Sequence, residues 1–136
     1  MERPPLPAIA LTTDTSIITA IGNDYSFDQI FEKQVQALGN EGDMLVGIST
    51  SGNSPNVVRA MHAARERGLA TMGLTGRGGG EMAGLCDILF DVDHGRTALV
   101  QEVHITIGHL LCGLTDHFLF ENVLALQPWL KDATNA

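Results

Sequence analysis

The sequence predicts an α/β fold, a doubly wound layer in which a parallel sheet is covered by helices. Three observations predict it. Short, nearly continuous apolar runs alternate with segments of helical periodicity, the pattern of buried parallel strands joined by crossover helices. Helix-start and helix-stop residues stand between the runs. Each run also empties at its carboxyl end into hydroxyl residues, glycine or aspartate, where open α/β sheets hold their ligands.

The elements follow in order. Residues 7–12, Pro-Ala-Ile-Ala-Leu-Thr, read as a first strand. Asp14-Thr15-Ser16 offers N-caps for a brief helix through Ala20, and Gly22-Asn23-Asp24-Tyr25 reads as a loop. Ser26 caps the next helix, in which Phe27, Ile30, Phe31 and Val35 recur at helical spacing before Gly39 and Gly42. Residues 44–48 are the clearest strand. Ser54 at N-cap and Pro55 at N1 start a helix whose buried stripe is Val57, Val58, Met61 and Ala64, and Gly68 stops it. Residues 69–74 form the next strand and lead to a glycine-rich turn at 76–80. A small helix around Met82-Ala83-Gly84 precedes the strand 87–92. A long helix runs over 97–120, and a C-terminal tail at 121–136 carries the sole tryptophan, Trp129.

Composition narrows the function classes. The chain has 136 residues, 44% hydrophobic and 18% charged, which suits one domain spanning 1–136 with a core of its own. Sixteen Asp and Glu against eight Lys and Arg give a net charge of -8. Duplex binding is led by clustered cations, so nucleic acid is disfavoured as a direct ligand. A small anion is not, because backbone N–H groups and hydroxyls hold anions without a positive field. No apolar run approaches the ~20 residues that cross a bilayer. The start, Met1-Glu2-Arg3-Pro4-Pro5, lacks the basic-then-apolar order of a signal peptide. Cys86 and Cys112 share no metal or redox spacing and read as buried free thiols. These features suit a cytoplasmic protein.

One segment carries chemistry. Ser49-Thr50-Ser51-Gly52-Asn53-Ser54 lies between a strand and a helix. The helix start supplies unpaired N–H groups and partial positive charge, and the hydroxyls of Ser49, Thr50, Ser51 and Ser54 add donors around the same point. Gly52 lets the backbone come close. The alternative is an ordinary serine-rich turn with an N-cap. Neither a Gly-Lys-Ser/Thr loop nor GxGxxG is present, and Gly78-Gly79-Gly80 reads as a flexible turn.

Ile48 through Ser54, followed by Val57-Val58, resembles the signature of sugar-isomerase (SIS) domains. With Glu2-Arg3-Pro4, Leu6 to Leu11, Gly22-Asn23-Asp24-Tyr25, Leu74-Thr75-Gly76-Arg77 and Gln101-Glu102-x-His104-x4-His109, the chain resembles bacterial phosphoheptose isomerases up to about Phe120. The resemblance implies a flavodoxin-like sheet. It also implies an aldose-ketose isomerase interconverting sedoheptulose 7-phosphate and D-glycero-D-manno-heptose 7-phosphate for bacterial surface polysaccharide. A homotetramer and zinc are implied as well. By position, Ser49, Thr50, Ser51 and Ser54 would bind phosphate, Asn23 and Asp24 would touch the sugar, and Gln101 would contact substrate and metal. His109 would be a zinc ligand and a catalytic acid/base.

The chemistry suits those residue types. Moving a carbonyl between C1 and C2 through an enediol needs one group to take a carbon-bound proton and another to serve the oxygens. Histidine can do either, and a metal would stabilise the enediolate. Gln101 and His109 are eight positions apart, ~12 Å along a helix and roughly 80° around it, an oblique approach to one ion. His104 reads as orienting or structural, His62, His94 and His117 as surface residues, and Glu102 as solvated or interfacial.

The family carries an additional N-terminal section with a helix, a first strand ending in Asn-Gly-Gly-Ser, and a helix bearing a His and the Glu that serves as base. Asn-Gly-Gly-Ser does not occur in this chain, and the His-x3-Glu helix is expected to be missing with it. The expectation is therefore a partial SIS domain lacking the family's N-terminal helix and first strand, half of the metal ligands and one acid/base group. Such a chain would have little isomerase activity alone, and an exposed sheet edge. Three other readings compete: a non-catalytic SIS protein, such as one that associates with a replication initiator, a sugar-phosphate sensor, and a fragment with no stable fold. His109 weighs against the first.

Overall fold

The computed structural model describes residues 3–121. They divide into two compact units, one of residues 8–102 and one of residues 3–7 with 103–121.

The first unit holds the sheet and the helices that cover it. Helix α1, Thr15–Asp24, begins at Asp14, whose carboxylate accepts from Ile17 N at 3.0 Å. It runs four residues further than expected and takes in Gly22, Asn23 and Asp24, which the sequence placed in a loop. The reason is that the apolar positions Ile17, Ile18 and Ile21 sustain the helical pattern up to Tyr25, whose N–H closes the last turn onto Ile21 O at 3.0 Å. Ser26 precedes a short 3-10 turn, Phe27–Gln29, without capping it through its side chain, and helix α2 covers Glu32–Leu38. Gln34 is buried, and its amide donates to Leu11 O at 3.0 Å and Ile30 O at 2.8 Å.

Three strands follow, β1 at Met44–Ser49, β2 at Ala70–Gly76 and β3 at Ile88–Val92. They pair in parallel in the order β1-β2-β3, with Val46 opposite Met72 and Met72 opposite Ile88. Helix α3, Pro55–Glu66, connects β1 to β2, and the small helix expected before β3 is a 3-10 helix at Gly80–Gly84. The α3 stripe fits the sheet. Ala60, Ala63 and Ala64 pack with Val35 and Leu69, and Met61 and Val58 pack with Met82. Met61 and Met82 are wholly buried, and each removes most of a thioether side chain from water, roughly 2 kcal/mol of transfer free energy. Gly47 makes room for this layer, since a Cβ there would lie 2.9 Å from Met61 Sδ.

The strand expected at 7–12 does not form. A strand needs a neighbour for its N–H and C=O groups, and none of the described strands lies beside it. Instead the segment turns, with Ala10 O accepting from Thr13 N and Thr13 Oγ1. The same gap leaves β1 at an edge. Its residues Met44, Val46 and Ile48 point to one face and are about half exposed, at 50%, 47% and 59%, so that face is not covered from end to end as expected.

Helix α4, Thr97–Asp116, begins in the first unit, where Val100 is buried, and continues in the second. A five-residue π-helix, His117–Glu121, follows it, so the helical course continues to residue 120 as expected with a changed hydrogen-bond pattern in the last turn. Within the second unit His104 is buried, and Arg3 pairs with Asp116 at 2.6 Å. The expected tail at 121–136, with Trp129, lies outside the described residues apart from Glu121.

Candidate functional site

The serine loop joins β1 to α3 at the carboxyl end of the sheet. Ser49 closes β1 and is 5% exposed. Its Oγ lies 2.8 Å from Ser54 Oγ and 3.4 Å from Ser51 Oγ, so three hydroxyls meet beside the start of α3. Ser54 holds the N-cap position, yet its hydroxyl does not cap the helix as expected. It is turned to Ser49, while its carbonyl accepts from Val57 and Val58 N–H groups at 3.0 and 2.9 Å. A hydroxyl rotor can redirect its proton at little cost, so the cluster can turn donors towards an oxyanion at a helix N-terminus.

The loop is not held by its own residues alone. Gly76 N–H donates to Thr50 O at 3.0 Å, Met82 N–H to Gly52 O at 3.1 Å, and Glu81 N–H to Asn53 Oδ1 at 2.8 Å. Gly52 has φ +66°, and a Cβ there would lie 1.9 Å from Gly79 O, so only glycine allows the two loops this approach. The turn at 76–80 is therefore clamped against the serine loop, whereas the sequence reads Gly78-Gly79-Gly80 as a flexible turn. Sequence reasoning missed Asn53 and this second loop. A signal was available: in a parallel sheet the loops after neighbouring strands lie side by side, and the second of these is rich in glycine.

A family model described as the SIS domain matches residues 1–76, more than half of the chain. The chain belongs to the SIS domain family. It is 78% identical over 131 residues to a phosphoheptose isomerase of Nitratidesulfovibrio vulgaris, covering 96% of this chain and 63% of the relative. A phosphoheptose isomerase of Burkholderia pseudomallei is 56% identical over 119 residues, 88% of this chain and 60% of the relative. Solved structures agree. The phosphoheptose isomerase of Neisseria gonorrhoeae superposes with a TM-score of 0.78 at 57% identity, over 79% of this chain and 60% of that one. That of Francisella tularensis gives 0.82 at 47% identity, over 85% and 62%. The chain thus spans less than two thirds of the length of these relatives, as the partial SIS domain expected from the sequence would.

The other candidate residues of this SIS chain lie on α1 and α4. Asn23 and Asp24 are exposed in the last turn of α1 and bonded to each other, Asn23 Nδ2 donating to Asp24 Oδ1 at 2.8 Å. Gln101 and His109 are both exposed on α4, whereas His104 between them is buried. His62 and His94 are exposed, and His94 Nδ1 accepts from Arg96 N–H at 2.9 Å. The His-x3-Glu spacing expected to be missing does occur, at His62 and Glu66 on α3 and at His117 and Glu121, 3.0 Å apart. All four residues are exposed, as solvated i,i+4 pairs on a helical surface are.

Zinc requires three or four protein ligands in a shared pocket. Among the described residues no three His, Cys, Asp or Glu are grouped for a metal ion. Gln101 and His109 alone do not fit such a site. Both cysteines are free, Cys86 half-buried and Cys112 exposed rather than buried as expected. Burial pushes the Cys86 thiol up, with Asp87 adding to the rise. Asp87 itself is held below the ordinary carboxylate range by the backbone N–H of Thr71 and then by the Thr71 hydroxyl. No described helix is long and apolar enough to cross a membrane.

Proposed function

We propose that this chain is the phosphate-holding part of a phosphoheptose isomerase. The reaction is the enediol interconversion of sedoheptulose 7-phosphate and D-glycero-D-manno-heptose 7-phosphate, serving surface polysaccharide such as lipopolysaccharide. The observation that carries the reading is the meeting of Ser49, Ser51 and Ser54 hydroxyls at the start of α3. With Thr50 they would bind the phosphate and so fix the sugar at its far end, leaving the C1–C2 end to meet the acid/base groups. Binding energy gained at the phosphate then serves orientation at the reacting carbons. Asn23, Asp24 and Gln101 would contact the sugar, and His109 would move one of the two protons. Its partner base lies outside the groups assigned here.

Zinc belongs to this reading only where further ligands join Gln101 and His109; bound there, it would polarise the carbonyl. We place the protein in the cytoplasm, which its two free cysteines favour, and as a homo-oligomer, a tetramer in the family it resembles. A sugar phosphate is the small-molecule partner, with no direct nucleic-acid or membrane contact.

The test is a ¹⁵N NMR titration of the whole chain with sedoheptulose 7-phosphate and, separately, with unphosphorylated sedoheptulose. Shifts at the amides of Gly52, Asn53 and Asn56 with the phosphorylated sugar alone are expected. Equal shifts with both sugars, or none, would sink the reading. In a turnover assay the chain alone should form little heptose phosphate, and robust turnover would overturn the view that a second acid/base group is needed from elsewhere.

A further inference from the structure

We propose that Asn53 is a positioning residue, which sets the shape of the phosphate-holding loop by tying it to the turn after the neighbouring strand. The inference rests on the serine loop being a phosphate cradle. Asn53 belongs to the loop but presents no hydroxyl. Two hydrogen bonds of Asn53 run in opposite directions. Its N–H donates to Ser51 Oγ at 3.1 Å, fixing where that oxygen sits relative to Ser49. Its Oδ1 accepts from Glu81 N–H at 2.8 Å, across 28 positions of sequence. One residue therefore links the oxygen of a proposed phosphate donor to the backbone of a different loop.

The fit of that link is close. A Cβ at Gly80 would lie 2.6 Å from both Asn53 Oδ1 and Ser51 O, so the glycine turn lies close against the serine loop at both residues. Two residues along, Met82 donates to Gly52 O at 3.1 Å and buries its side chain completely against Met61 and Val58. The clasp is thus anchored in the core of the first unit. A loop whose donors are neutral must hold them in place before the anion arrives, because each reorganised dipole subtracts from binding. The backbone N–H of Asn53 supplies that fixation at Ser51, and its carboxamide holds that backbone in place by tying it to Glu81.

The substitution Asn53→Ala removes the acceptor for Glu81, and Glu81→Pro removes the donor while leaving Asn53 intact, proline being tolerated in a first turn. Two readouts are taken on the whole ¹⁵N-labelled chain: hydrogen exchange of the loop amides, and the Kd of inorganic phosphate from the same spectra. In Asn53→Ala the Glu81 amide should exchange about tenfold faster. In either variant phosphate should bind about three- to tenfold more weakly, the worth of one or two hydrogen bonds. Asn53→Asp retains an acceptor, so its Glu81 amide should stay as protected as in the parent chain. A variant that lowers only Tm and leaves the phosphate Kd unchanged would overturn the positioning role, and if one variant fails to fold, the other decides. Absence of phosphate shifts at the serine loop of the parent chain would instead overturn the cradle, and the role of Asn53 with it.

Discussion

Gly52→Ala is the most informative single change in the cradle. The added Cβ meets backbone on its far side, 1.9 Å from Gly79 O, 2.4 Å from Gly79 C and 2.9 Å from Gly80 N. No side-chain rotation relieves it. The loops must separate, and separation breaks the three bonds made by Gly76, Glu81 and Met82 N–H groups across the gap. Each such bond is worth about 1 kcal/mol net. Holding alanine at φ +66° adds about 1–2 kcal/mol, so the whole loss is about 4–5 kcal/mol. Gly78→Ala is the control. Its φ is +78° but a Cβ there meets nothing within 4 Å, so only the backbone term of about 1–2 kcal/mol remains. Urea unfolding followed by circular dichroism, at matched protein concentration, measures both. A loss for Gly52→Ala within about 1 kcal/mol of that for Gly78→Ala would refute the claim that the two loops are locked together.

Three further outcomes follow from the first unit. Asp87 has its carboxyl depressed by Thr71, so its contribution is present above its unfolded pKa and is lost as pH falls through the lower folded value. The parent chain should therefore lose more stability than Asp87→Asn between about pH 4 and pH 2, and parallel thermal melts across that window check it. With a thiol reagent near neutral pH, exposed Cys112 should label before Cys86, whose thiolate is disfavoured by burial, and mass mapping of a time course reads the order. Met61→Ala should cost about 2–5 kcal/mol in the same urea assay, because the wholly buried side chain leaves a cavity under the sheet.

Much of this was legible in the sequence because it depends on neighbours along the chain. Ser54-Pro55 marks the start of α3, the Val57-Val58-Met61-Ala64 stripe marks its buried face, and residues 44–48 mark β1 nearly to the residue. The misreadings share a different cause. Residues 7–12 have strand composition, but a strand exists only with a partner, and pairing is a property of the sheet rather than of the segment. Ser54 looked like a cap because the pattern of serine before proline says so, whereas the position of its hydroxyl is decided by Ser49, five residues back and at the end of a strand. The clasp at Asn53 was hidden for the same reason, since Glu81 is distant in sequence and adjacent only once β1 and β2 are paired.

The outer edge of β1 has a consequence for every measurement on this chain. Six residues of backbone with Met44, Val46 and Ile48 half exposed form a template on which another extended segment can hydrogen-bond, a second copy included. Association of that kind follows mass action, so the free energy of unfolding acquires a logarithmic dependence on protein concentration. If copies pair there, a melting temperature for this chain depends on how much of it is in the tube. Dilution becomes a perturbation in its own right, able to mimic a point mutation.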